Sequence, residues 1–138
     1  MKKIISISLF ICILSSINLP AQDKPFPWPE RYSSTYGIHL ERDAEGKILI
    51  TAVDSTTVAA ERGIVPGYEL LAWNQLPTDQ ALKKIRVRRY RKLFPDHTDD
   101  QIRLILLTRG HPGDSAEVFV LTETENNRGI RLSIKQID

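Results

Sequence analysis

The chain has 138 residues, 41% of them hydrophobic and 26% charged, with a single cysteine and a net charge of +2 at pH 7. That length supports one modest core and leaves little room for a second, and the near balance of charge excludes a nucleic-acid binder that relies on a large positive excess. With Cys12 as the only thiol, neither a disulfide framework nor a cysteine metal site can be assembled within one chain.

Met1-Lys2-Lys3 leads into an apolar stretch from Ile4 to Leu19, which ends at Ala21 before Gln22-Asp23-Lys24. Charge, apolar core and small residue in that order read as a secretory signal peptide over residues 1–21, which places the mature chain in the periplasm or outside the cell. A membrane anchor is the rival reading, because the stretch is almost long enough to span a bilayer. Ser6, Ser8, Ser15, Ser16 and Asn18 dilute it, and no basic stop-transfer cluster follows. Lipidation at Cys12 would need small residues before it, where Phe10 and Ile11 stand. Cleavage removes Cys12, Lys2 and Lys3, which leaves equal numbers of acidic and basic residues.

Residues 22–34 form a Pro-rich lead, with Pro25, Pro27 and Pro29 fixing φ and favouring an extended course. Phe26 and Trp28 are placed to pack back on the domain, and a Pro-rich ligand segment is the alternative. Tyr36, Ile38 and Leu40 then alternate with Gly37, His39 and Glu41 as in a half-buried strand. Asp43-Ala44-Glu45-Gly46 supplies a turn, and Lys47–Val53 is rich in β-branched residues, so the two runs predict a hairpin.

Thr57 stands where it can cap a short helix over Val58–Arg62, closed by Gly63. A strand follows over Tyr68–Trp73, with Asn74-Gln75 as its tip. Asp79 is placed to cap a longer helix whose Leu82, Ile85, Tyr90, Leu93 and Phe94 approximate helical spacing up to Pro95. Thr98-Asp99-Asp100-Gln101 fits the capping box of a second helix, over Gln101–Arg109 and closed by Gly110. Ala116–Thr122 and Gly129–Ile134 read as two final strands around the polar turn Glu125–Arg128.

The blocks YGIHL and ILITAVDSTTVAAERGIVPGYELLAWN together resemble the core signature of PDZ domains: an apolar-Gly-apolar loop, an Ala-Ala helix ending in Gly-Ile, and a Pro-Gly turn into a Leu-Leu strand. The similarity runs from Tyr36 to about Ile137. It is nearest to the PDZ domains of exported bacterial tail-specific serine proteases, in which an approach like Leu107-Thr108-Arg109-Gly110 precedes the last strands. Two departures stand out: Tyr68 replaces the usual Asp after Gly67, and the stretch from Asp79 to Gly110 is longer than a minimal PDZ helix.

The resemblance implies an α+β fold, a small β-sandwich or partly open barrel of five to six strands with two to three helices, over residues 35–138. It further implies that an extended peptide or protein C-terminus adds to the edge strand beginning at Gly37. Thr35, Tyr36, Gly37 and Ile38 would cradle the terminal carboxylate through successive backbone N–H groups. Leu40, Leu82 and Ile85 would contribute side-chain selection, and His39 would meet the ligand from outside. Read without the resemblance, these apolar residues are simply core.

No cofactor is expected, and His97 and His111 lack ligand-spaced partners for a metal. The cations Lys83, Lys84, Arg86, Arg88, Arg89, Arg91 and Lys92, expected on the longer helix, could meet an acidic peptide or an anionic surface or could simply be solvated. Ser33, Ser34, Ser55, Ser115 and Ser133 all lie outside nucleophile-elbow and Ser-x-x-Lys patterns, so a non-catalytic binding module is expected. A leading fragment or companion chain of a tail-specific protease is the second reading, and an interaction domain docking through its basic helix is the third.

Overall fold

The computed structural model describes residues 25–136, so the stretch 1–21 expected to be a signal peptide, with its Cys12, lies outside the described residues. After a 3₁₀ turn at Glu30–Tyr32 come β1 (Ser34–Thr35), β2 (Ile38–Arg42) and β3 (Ile48–Val53). The predicted hairpin forms here because the Asp43 carboxylate accepts the N–H groups of Glu45 and Lys47 at 2.9 and 2.8 Å, while Gly46 takes φ +87°.

Helix α1 (Val58–Glu61) follows, with Ala59 buried beneath it. Thr57 occupies the N-cap position, but its hydroxyl donates to the Asp54 carbonyl at 2.7 Å rather than capping the helix. β4 (Glu69–Trp73) turns through Asn74 and Gln75, both at positive φ, into β5 (Leu76–Pro77). Asn74 suits that conformation, and its side-chain oxygen accepts the Glu117 N–H at 2.9 Å.

The longer helix expected from Asp79 does not form. Helix α2 covers Thr78–Lys83 only, and the chain then makes two 3₁₀ turns at Val87–Arg89 and Arg91–Leu93. Arg86 is extended, which turns Val87 and then Phe94 into a hydrophobic cluster with Tyr32, Ile102 and Leu106 that a continuous helix would miss. Helix α3 (Asp99–Leu107) does carry its capping box: Thr98 accepts the Gln101 N–H at 3.2 Å and the Gln101 side chain accepts the Thr98 N–H at 2.9 Å. Arg109 and Gly110 leave the helix to become β6, which pairs with β1.

β7 (Ser115–Leu121) and β8 (Asn127–Ser133) complete an antiparallel sheet in the order β2-β3-β4-β7-β8, with β5 beside β4. The described residues thus hold eight strands in two sheets and three α-helices, with no closed barrel. This is a small α+β, PDZ-like fold.

Its main core joins Ile38, Ile50, Leu70, Val118, Val120 and Leu132 of the sheet to Leu82 of α2 and Leu104 of α3. The second cluster lies on the other side of α3, where the Trp28 ring sits 5.8 Å from Phe94. Helix α3 is therefore held between the sheet and the Pro-rich lead. No helix among the described residues is long and apolar enough to cross a membrane.

Candidate functional site

Strand β2 is an edge strand, and its hydrogen-bond pattern determines which backbone groups face outward. The Asp54 N–H donates to the Gly37 carbonyl at 2.8 Å, which makes Ile38 and Val53 a non-hydrogen-bonded pair, so the N–H and C=O of Ile38 turn away from β3. Two residues on, Ile50 gives its N–H to Tyr68 and its C=O to Gly67, both on the far side. Leu40, opposite Ile50, therefore also presents its backbone groups to the open edge. Asp43 donates to Lys47 at the hairpin end, which continues the alternation to Arg42.

That edge faces helix α3 across a cleft of about 790 Å³. Gln101, Leu104, Ile105 and Thr108 form the helical wall, with Trp28 extending it from the lead. At one end, Arg42 spans from β2 to α3: its Nε and one terminal nitrogen each lie 3.0 Å from a different Asp100 oxygen, and that nitrogen also meets Asp79 at 3.1 Å. These bonds, Asp100 first, raise the Arg42 pKa against the opposing effect of burial.

At the other end, Tyr36 donates its N–H to the Thr108 carbonyl at 2.9 Å, which ties the start of β2 to the end of α3. The Arg109 guanidinium lies 3.5 Å from the Trp28 ring centroid and donates to the carbonyls of Tyr32 and Ser33 at 2.8 and 3.2 Å. Burial lowers its pKa.

Of the residues singled out in the sequence, Thr35, Ile38, His39 and Leu40 border this cleft. Tyr36 turns into the main core, edge-on to Trp73 at 5.3 Å, and Gly37 lies against Thr57. His39 is exposed and contacts Asp54 at 3.1 Å. Leu82 and Ile85 do not reach the cleft. Leu82 is buried in the main core, and Ile85 packs between the two clusters, because the helix opposite β2 is α3 and not the one that begins near Asp79.

The cations are also rearranged. Lys83 ends α2, Lys84 and Arg86 follow it, and Arg88, Arg89, Arg91 and Lys92 ride the 3₁₀ turns, so they form an exposed, irregular loop and not a stripe on one helix. Arg91 is paired with Asp99 at 2.7 Å. Missing from the sequence reading are Gln101, Leu104, Ile105, Thr108, Trp28 and the Arg42–Asp100 bridge. The only available signal was the capping box, which marks where α3 begins but not which sheet edge it faces.

Tyr36 reports on the core beneath the start of β2. Burial, reinforced by Asp114, pushes its phenol up from 10.0 to about 12. An acid whose folded pKa is raised contributes its full stability below the unfolded value, and that contribution is lost as pH rises from about 10 to about 12. Urea midpoints measured across that window should fall, and Tyr36→Phe should flatten the slope.

No family model matches the chain, and no curated protein matches it. Solved structures do match in shape. Mature CPAF aligns with a TM-score of 0.51 at 12% identity, covering 75% of this chain and 20% of that one. The photosystem II D1 C-terminal processing protease aligns with a TM-score of 0.53 at 12% identity, covering 76% of this chain and 24% of that one. The chain therefore spans under a quarter of the length of these structures. At such identity the likeness is one of fold: these longer chains contain an architecture shared with most of this one.

Proposed function

We propose that this protein is an exported, non-catalytic PDZ-type module that binds an extended peptide by strand addition between β2 and α3. The observation that carries this reading is the open edge of β2, where Ile38, Leu40 and Arg42 turn their backbone groups into a cleft walled by α3. An extended chain laid there would continue the sheet antiparallel to β2 and place alternate side chains toward Leu104 and Ile105.

The protein should bind unstructured peptides, and N-methylation should separate the two sets of alternate ligand residues. Methylating the set whose N–H groups point at β2 should abolish binding, while methylating the other set should be tolerated. Equal tolerance of both sets would refute strand addition.

A second reading draws on the two neighbours named above, one of which is a C-terminal processing protease and both of which are several times longer. On it the chain is the leading part of such a protease, or works beside a separate catalytic chain. The DNA downstream decides between them: a continuing protease reading frame would overturn the stand-alone module.

A further inference from the structure

The proposed cleft has an unusual end. We propose that the Thr35 hydroxyl occupies the place where a ligand's terminal carboxylate would be held, so that the cleft grips an extended segment by its backbone and side chains without reading a free chain end. This rests on the strand-addition reading and goes beyond it by specifying the class of ligand.

A carboxylate taken out of water needs several N–H donors or a cation to replace its hydration. The apolar-Gly-apolar loop has three backbone donors, and two are already engaged. Tyr36 donates to the Thr108 carbonyl at 2.9 Å, and Gly37 donates to Thr35 Oγ1 at 3.0 Å. The same hydroxyl donates onward to the Thr108 carbonyl at 3.3 Å. The third donor, on Ile38, is one that strand pairing itself would use, whether or not the ligand chain ends there.

The nearby cation is committed as well. Arg109 spends its guanidinium on Tyr32, Ser33 and the Trp28 ring, and Arg42 is held by Asp100 and Asp79 at the opposite end. The Thr108 carbonyl oxygen adds partial negative charge at the very place a carboxylate would enter. A glycine at position 37 is already required by its φ of +79° and by Thr57, which leaves no room for a Cβ, so the glycine is not evidence of a close ligand approach.

The test uses a fluorescent library of randomised hexapeptides, made once as free acids and once as C-terminal amides, with the best binders resynthesised in both forms. Wild-type protein should bind the two forms within about threefold of each other, because no charge-assisted hydrogen bond distinguishes them. Thr35→Val keeps the side-chain shape and frees the Gly37 N–H, so it should come to favour the acid by roughly tenfold, whereas Thr35→Ser should behave as wild type.

A wild-type preference for the acid of about tenfold or more would overturn the proposal, as would a Thr35→Val protein that gains no preference. Failure of every peptide in both forms would instead bring down the strand-addition reading and this proposal with it.

Discussion

Gly37→Ala is expected to destabilise the fold by about 3 kcal/mol, a large part of the stability of a domain this size. Two effects combine. Gly37 has φ +79°, a conformation that costs a residue with a Cβ about 1 kcal/mol or more. A Cβ there would also fall inside contact distance of Thr57 Cγ2 and lie 2.8 Å from its Oγ1. Thr57 has little room to yield, since its hydroxyl is bonded to Asp54 and its backbone begins α1.

Urea titration measures the loss, and adding Thr57→Ser should recover the part due to the methyl group. A Gly37→Ala protein as stable as wild type would show that the loop relaxes freely, contrary to the packing described.

Trp28→Ala should cost about 2 to 3 kcal/mol, somewhat less than the roughly 3–5 kcal/mol typical of fully buried aromatic residues, because Trp28 is only half-buried. The Trp28 ring is a joint between three elements. It lies 4.5 Å from Phe26 in the lead, 5.8 Å from Phe94 before α3, and against the Arg109 guanidinium of β6. Its removal unpacks the lead from α3 and leaves Arg109 without its stacking partner.

Limited proteolysis should then cut within residues 25–33 well before the sheet is attacked, and the thermal midpoint should drop. Unchanged stability together with an unchanged cleavage pattern would mean that the lead merely rests on the domain.

Much of this fold was legible in local chemistry. Asp43 to Gly46 marked the first hairpin, Thr98 and Gln101 marked the start of α3, and the run Ala116–Thr122 before a polar turn marked β7. The first two signals are completed within a few residues, whereas β7 also draws on its pairing with β4 and β8. The region from Lys83 to Phe94 behaved differently. Its apolar spacing suited a helix, yet Lys84 and Arg88 would stand as like charges four apart, and Lys83 and Arg86 three apart, which weakens a helix. Burial of Val87 and Phe94 against Tyr32 and Ile102 then decided the outcome, and Tyr32 lies far away in the chain.

The candidate site divides in the same way. The edge strand from Ile38 to Arg42 was visible as an alternating pattern, and its inward side chains follow it. The helix opposite was misassigned, because amphipathic spacing shows that a helix has a buried face without showing which element covers it. Leu82 and Leu104 look alike in the sequence, and only the tertiary arrangement sets Leu104 beside β2. The contact of Thr35 with Gly37 spans two residues, but it depends on a backbone course fixed by Thr108.

Amide hydrogen exchange, read residue by residue with and without a saturating bound peptide, tests the β2 edge most directly. Strand addition predicts that the Ile38, Leu40 and Arg42 amides, which face the cleft, become strongly protected, while those on the open side of the opposite edge strand, such as Arg131, stay as they were. Protection confined to the loop of cations between Lys83 and Lys92, with the three β2 amides unchanged, would contradict it.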